Sequence, residues 1–267
     1  ALHPGAWLLW AACGGLAAML TTNPFYMVVL CGAAWLVYAT QRRSGPQVRS
    51  FKILVVFGLV AMIARTALVL ADPVVHVAIT TSGVVVALLE GARIATLLCV
   101  FGTFNAVSDP YGILRLAPRR LYEPMLAAAL ALSLAPRTIA AVGEVREAQQ
   151  IRGANVKRVR ALPALVVPVL ETGMEEALML AESMDARGHG RGPRTRYRPD
   201  RWGASSYAVA LSSIIVGSSF VWGAASRSGD LSVSMPPLHW PAASIWVVAA
   251  AAVMAAPAFL ASEGAGR

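Results

Sequence analysis

Charge is what this sequence has least of. Of its 267 residues 14% are Asp, Glu, Lys or Arg, against 57% hydrophobic, where a soluble domain carries about 25% charged residues. Too little polar surface remains to cover one soluble core. A mean hydropathy of +0.61 also excludes disorder, collagen and coiled coil. Lysine is almost missing: Lys52 and Lys157 are the only two. Neither follows a glycine, so there is no G-x-x-x-x-G-K-[ST] loop, and the chain does not bind ATP through one. Three cysteines, Cys13, Cys31 and Cys99, lie in apolar runs without C-x-x-C spacing, which leaves neither a disulfide framework nor a thiolate metal centre. G-x-S-x-G and H-E-x-x-H are absent too. His3, His76, His189 and His239 are scattered without ligand spacing. No catalytic residue, metal or cofactor is expected.

What is there is a series of apolar runs. A spanning helix needs about 20 mostly apolar residues, and six segments qualify or nearly so: Trp7–Leu20, Phe25–Thr40, Ile53–Ala71, Gly83–Phe104, Ser205–Gly223 and Ala243–Leu260. The first two are short and read as a thin hairpin about Asn23-Pro24. The first does not read as a signal peptide, since no Lys or Arg precedes it and no small-x-small site closes it. The fold class is therefore an all-α integral membrane protein with about six transmembrane helices and a helical cytoplasmic insert. Its parts are expected at 1–104, 105–203 and 204–267.

The net charge of +9 resembles a nucleic-acid signal but has another source. Fifteen of the 23 basic residues lie between Arg115 and Arg201, as the positive-inside rule requires of one cytoplasmic region. No nucleic-acid partner is expected. Residues 41–52 carry Arg42, Arg43, Arg49 and Lys52, and residues 72–82 carry no Lys or Arg. The first stretch is thus placed inside and the second outside, with both termini cytoplasmic. One run fits poorly. Pro124–Val142 is rich in Ala and Leu but is flanked by arginines on both sides and contains Arg137. It reads as a helix at the cytoplasmic interface, with a seventh crossing as the alternative.

Within the insert, Val166, Leu170, Ala177, Leu180, Ala181 and Met184 form a stripe near 3.6-residue spacing, with Glu171, Glu175 and Glu182 on another face. Pro163 and Pro168 are expected to break the chain near the start of this helix. Two helices end alike, at Ile151-Arg152-Gly153 and Ala186-Arg187-Gly188. Glycine just past a helix end is an ordinary stop, and arginine in the last turn suits the helix dipole. The other reading is that each arginine, with five donors in a planar fork, meets a cytoplasmic partner. Inside the apolar runs, Arg65, Glu90 and Arg93 are expensive unless paired. Glu90 and Arg93 are three apart on one face and are expected to form an ion pair, with Arg65 snorkelling or joining it.

The stretches Glu182 to Gly190 and Arg146 to Gly153 resemble the paired Ala-Arg-Gly signatures of the transmembrane coupling subunit, or T component, of energy-coupling factor transporters, with Ile151 where Ala is commoner. His3-Pro4, Asn23-Pro24, Gly91-Ala92-Arg93 and Ser108-Asp109-Pro110 are also similar to elements of that family. The C-terminal hydrophobic segment departs from it, since many members end sooner. The resemblance implies a non-catalytic scaffold in a bacterial inner membrane. Two cytoplasmic ATP-binding subunits would each receive one arginine tip. A separate membrane-embedded substrate-binding S component would capture a vitamin or a transition-metal ion such as cobalt or nickel. Two other functions compete: a self-contained permease, and an integral-membrane enzyme using Asp72, His76 and Glu90.

Overall fold

The computed structural model describes residues 2–41, 47–71, 81–116, 118–153, 162–189, 191, 202–226, 230–232 and 242–260. Its helices are α1 (Pro4–Leu20), α2 (Pro24–Gln41), α3 (Gln47–Ala71), α4 (Thr81–Val107), α5 (Pro110–Arg115), α6 (Tyr122–Ile151), α7 (Leu162–Ala186), α8 (Ala204–Ser226), α9 (Ile245–Val253) and α10 (Ala256–Leu260), with a short 3-10 turn at Arg119–Leu121. No strand occurs among the described residues. The chain divides into one unit of residues 1–113 with 200–267, and a second of residues 114–199.

The first unit is built around its shortest long helix. α1 packs against α8, α4 and α2, and α2 packs against α4, α9 and α10. Trp10, Tyr26, Leu30, Phe220 and Met254 are fully buried between these helices. Small residues set the spacing, as they do where helices meet without a hydrophobic driving force between them. A Cβ on Gly91 would lie 2.6 Å from the Met62 carbonyl oxygen, so the α3 and α4 backbones approach as closely as glycine allows.

Three helices start in the same way. His3, Asn23 and Asp109 each stand before a proline, which is pre-set for the first helical position and has no N–H to satisfy. The His3 Nδ1 accepts from the Gly5 N–H at 3.1 Å, the Asn23 Oδ1 from Phe25 and the Asp109 Oδ1 from Tyr111, both at 3.1 Å. These side chains satisfy helix donors that have no partner within the helix. Asn23 also donates through Nδ2 to the carbonyls of Asp230 and Ala242, tying the turn between α1 and α2 to the stretch after α8. His3 stacks on Trp202 at 4.4 Å.

One of the expected spans differs in the structure. The last segment is two helices: the chain turns at Met254-Ala255, Pro257 stands at the second position of α10, where its missing N–H costs nothing, and Trp10 Nε1 donates to the Met254 carbonyl at 2.9 Å. By length and composition five helices among the described residues can cross a membrane: α2, α3, α4, α6 and α8. α1 and the α9–α10 stretch are apolar but shorter. Residues 124–142 belong to the uninterrupted 30-residue α6, which meets the length and composition of a span.

The second unit consists of the 3-10 turn, α6 and α7. α6 has no buried residue and continues through Pro136. α7 likewise continues through Pro168, where a break is expected from the sequence; Pro163 sits at its second position, where a missing N–H costs nothing. Of the apolar stripe on α7, Leu180 and Met184 are half-buried, while Val166, Leu170, Ala177 and Ala181 are exposed.

Candidate functional site

The two arginine tips share one backbone geometry. At the end of α6, the Gly153 N–H donates to the Gln150 carbonyl at 3.0 Å and the Arg152 N–H to Ala148 at 3.2 Å. At the end of α7, the Gly188 N–H donates to Asp185 at 2.8 Å and the His189 N–H to Met184 at 3.0 Å. The second set is the full pattern of paired bonds that closes a helix on a left-handed residue. Gly153 has φ 78° and Gly188 φ 75°, a conformation costly for any residue with a Cβ. Each arginine therefore occupies the capping position itself, one residue before the reversal. Ile151, Arg152 and Gly153 are all exposed, as are Ala186 and Arg187, with Gly188 half-exposed.

The surroundings of the tips differ. His189, just past the second cap, lies 6.5 Å from Tyr122 between ring centroids, so the end of α7 stands beside the start of α6. The first tip is then at the far end of a helix of 30 residues, about 45 Å away at 1.5 Å per residue. Arg191 pairs with Asp185 at 3.0 Å, both well exposed, a contact worth about 0–1 kcal/mol. Neither the His189–Tyr122 contact nor the Arg191–Asp185 pair is expected from sequence, because each needs the chain to turn back at Gly188.

The intramembrane charges are arranged differently from expectation. Arg93 donates through Nη2 to the Met19 carbonyl, one of the last four carbonyls of α1, which have no partner in their own helix. A guanidinium there also meets the negative end of the α1 dipole. The Glu90–Arg93 ion pair is not formed, and Glu90 and Arg65 make no hydrogen bond or ion pair among the described residues. Both are half-buried. Asp72 and His76, which the enzyme alternative needs, lie outside the described residues, as do residues 42–46 of the basic loop. No group of three or more potential metal ligands occurs among the described residues. Cys31 donates to Thr96 Oγ1 at 3.5 Å, and all three cysteines are free.

Residues 1–197 match the family model CbiQ, described as cobalt transport protein. The chain belongs to that family. No curated protein matches it significantly.

Proposed function

We propose that this chain is the transmembrane coupling scaffold of a cobalt importer driven by two separate ATP-binding subunits. The observation that carries the reading is the pair of matched Arg-Gly helix ends, both exposed, set far apart on a two-helix unit in which α6 buries nothing. In this reading residues 105–203 form a cytoplasmic coupling insert, and Arg152 and Arg187 each enter a groove of one ATP-binding subunit. A guanidinium offers a planar fork to a carboxylate or to backbone carbonyls, so a rigid helix tip carrying one makes a directional plug. Closure of the two ATP-binding subunits shifts both tips together. The motion passes along α6 and α7 to a membrane-embedded S component that holds the metal ion and reorients. Both termini are cytoplasmic, the setting is a bacterial inner membrane, and the other contacts are with lipids. The chain itself catalyses nothing.

The experiment is co-expression with the ATP-binding subunits and the small membrane protein of the same organism's cobalt transporter, followed by purification through a tag on this chain. A scaffold brings down two ATP-binding chains and the membrane partner. A self-contained permease, which a Glu90 without an ion-pair partner among the described residues would suit, runs as a homo-oligomer without them and takes up cobalt alone in vesicles.

A further inference from the structure

Spacing along the chain gives the three cysteines nothing in common, but the fold brings two of them face to face. The Cys31 thiol, on α2, donates to the Thr96 hydroxyl of α4 at 3.5 Å, and that hydroxyl donates to the Ala92 carbonyl at 2.9 Å. Cys99 stands one turn beyond Thr96 along the same face of α4. Its thiol and that of Cys31 hydrogen-bond to each other. Another turn on, the Thr103 hydroxyl donates to the Ala34 carbonyl of α2 at 3.2 Å, so the two helices stay in close contact along this stretch. A buried free cysteine is ordinarily a small apolar side chain and no more. Here both are half-buried, and each sulfur has the other as a partner across a helix interface. The third, Cys13, lies apart from them, against Gly217 of α8.

We propose that Cys31 and Cys99 form a two-thiol site for a soft divalent ion of the mercuric class, which clips α2 to α4. Thiolates select soft ions, and a thiol that coordinates a metal gives up its proton. Supplied as neutral HgCl2, the ion exchanges both chlorides for sulfur. Two Hg–Cl bonds break and two Hg–S bonds form, two protons and two chlorides leave, and no electron moves. The product carries no net charge. That matters in α2 and α4, which are both long and apolar enough to cross a membrane, because a charge there is expensive. A soft monovalent ion between the same two thiolates leaves one negative charge over. Mercuric ion is also satisfied by two sulfurs in line, which is what the fold supplies. Cobalt, nickel and zinc ions take more ligands than that, and no group of three or more His, Cys, Asp or Glu that could hold a metal occurs among the described residues. The pair therefore does not suit cobalt, and it does not depend on the coupling reading.

The test uses the full chain purified in detergent and carrying Cys13→Ser, so that the pair supplies the only thiols. HgCl2 is titrated in and followed by sulfur-to-metal charge-transfer absorbance, and an excess of a small monothiol is then added as competitor. One ion per chain is expected, with two protons released. Adding Cys31→Ser or Cys99→Ser should weaken retention against the competitor by about a hundredfold or more, because a single sulfur has no second attachment at high effective concentration. Cys31→Ala and Cys99→Ala repeat the measurement where serine disturbs the packing. Thr96→Val should keep the affinity, since the hydroxyl is not a ligand. The ion should raise the unfolding temperature of the two-thiol protein and leave that of the one-thiol variants unchanged. CoCl2 should neither shift the unfolding nor shield the pair from a maleimide. The inference is overturned if a one-thiol variant holds the ion as tightly as the pair does, if two ions bind per chain, or if cobalt shields the thiols as well as mercuric ion does. None of these outcomes bears on the coupling reading, which fails separately if Arg152→Glu with Arg187→Glu still holds both ATP-binding subunits.

Discussion

Helices α1 and α6 are both rich in alanine and leucine, yet eight of the 17 residues of α1 are buried and none of the 30 of α6. Composition contributes, since α1 carries no charged residue and α6 carries Glu123, Arg137, Glu144, Arg146 and Glu147; the neighbours differ as well. α1 is enclosed by α8, α4 and α2, whereas α6 touches α7 and the 3-10 turn. A helix of 30 residues is long enough to overcome the cost of nucleation, so α6 can be regular without a core of its own. Its Leu132, Ile139 and Val142 are exposed apolar area. One unit uses its apolar residues to hold itself together, and the other keeps them on its surface. The same contrast applies to arginine. Arg93 caps α1, while Arg152 and Arg187 stand exposed at helix tips.

The largest effect expected from this contrast is a loss of function without a loss of fold. Arg152→Glu with Arg187→Glu should abolish retention of the ATP-binding subunits and cobalt uptake, because a charged hydrogen bond lost from a buried interface costs about 2–5 kcal/mol at each tip. Either single change should give a partial defect. Detergent-solubilised yield and thermal stability should match the parent. Full retention of both subunits by the double variant would reduce these arginines to helix caps.

In the first unit the same kinds of residue should control stability instead. Gly91→Ala places a Cβ 2.6 Å from a backbone oxygen, which cannot move aside as a side chain end can. The α3–α4 pair must separate, at about 1–3 kcal/mol by comparison with overpacked cores. Arg93→Met should cost less than Gly91→Ala, since the bond to the Met19 carbonyl that it loses is exposed. Glu90→Gln should cost less than Arg93→Met, since Glu90 has no partner to lose among the described residues. Thermal unfolding in detergent ranks the three. A Glu90→Gln penalty as large as that of Arg93→Met would mean that the two do pair in the membrane.

The sequence made the helices and their ends legible because those signals are local. Apolar runs, the polar-proline starts at His3, Asn23 and Asp109, and the glycine stops at Gly153 and Gly188 each act within a few residues of where they stand. What was not legible depended on distant neighbours. Glu90 and Arg93 have the right spacing to pair, but the open carbonyl of Met19, 74 positions away in sequence, competes for the same guanidinium. The stripe on α7 was periodic, but periodicity states which residues share a face and not what lies against it. Pro168 was expected to break α7. A proline removes one hydrogen bond, and the remaining turns hold the helix together. The common backbone of the two tips was readable from Arg-Gly; the unequal exposure around them, with Ile151 on one and the Asp185–Arg191 pair by the other, emerged only with the fold.

The smallest effect has the opposite sign in the two units and tests the contrast most directly. Gly143 lies inside α6 and Gly173 inside α7, and a Cβ on either would meet nothing within 4 Å. Glycine in a helix interior is unfavourable relative to alanine by about 0.5–1 kcal/mol, through the backbone freedom it loses on folding. Gly143→Ala and Gly173→Ala should therefore each stabilise the second unit by about that amount, where Gly91→Ala destabilises the first. The gain is visible as slower amide hydrogen exchange along α6 and α7, against unchanged exchange in α1 and α4. Binding of the ATP-binding subunits then separates two roles for these glycines. If they are simply unfilled surface, retention and uptake stay at the parental level while exchange slows. If alanine at either position lowers uptake, the exposed face of that helix is occupied in the working complex by a surface that comes within van der Waals reach of the glycine.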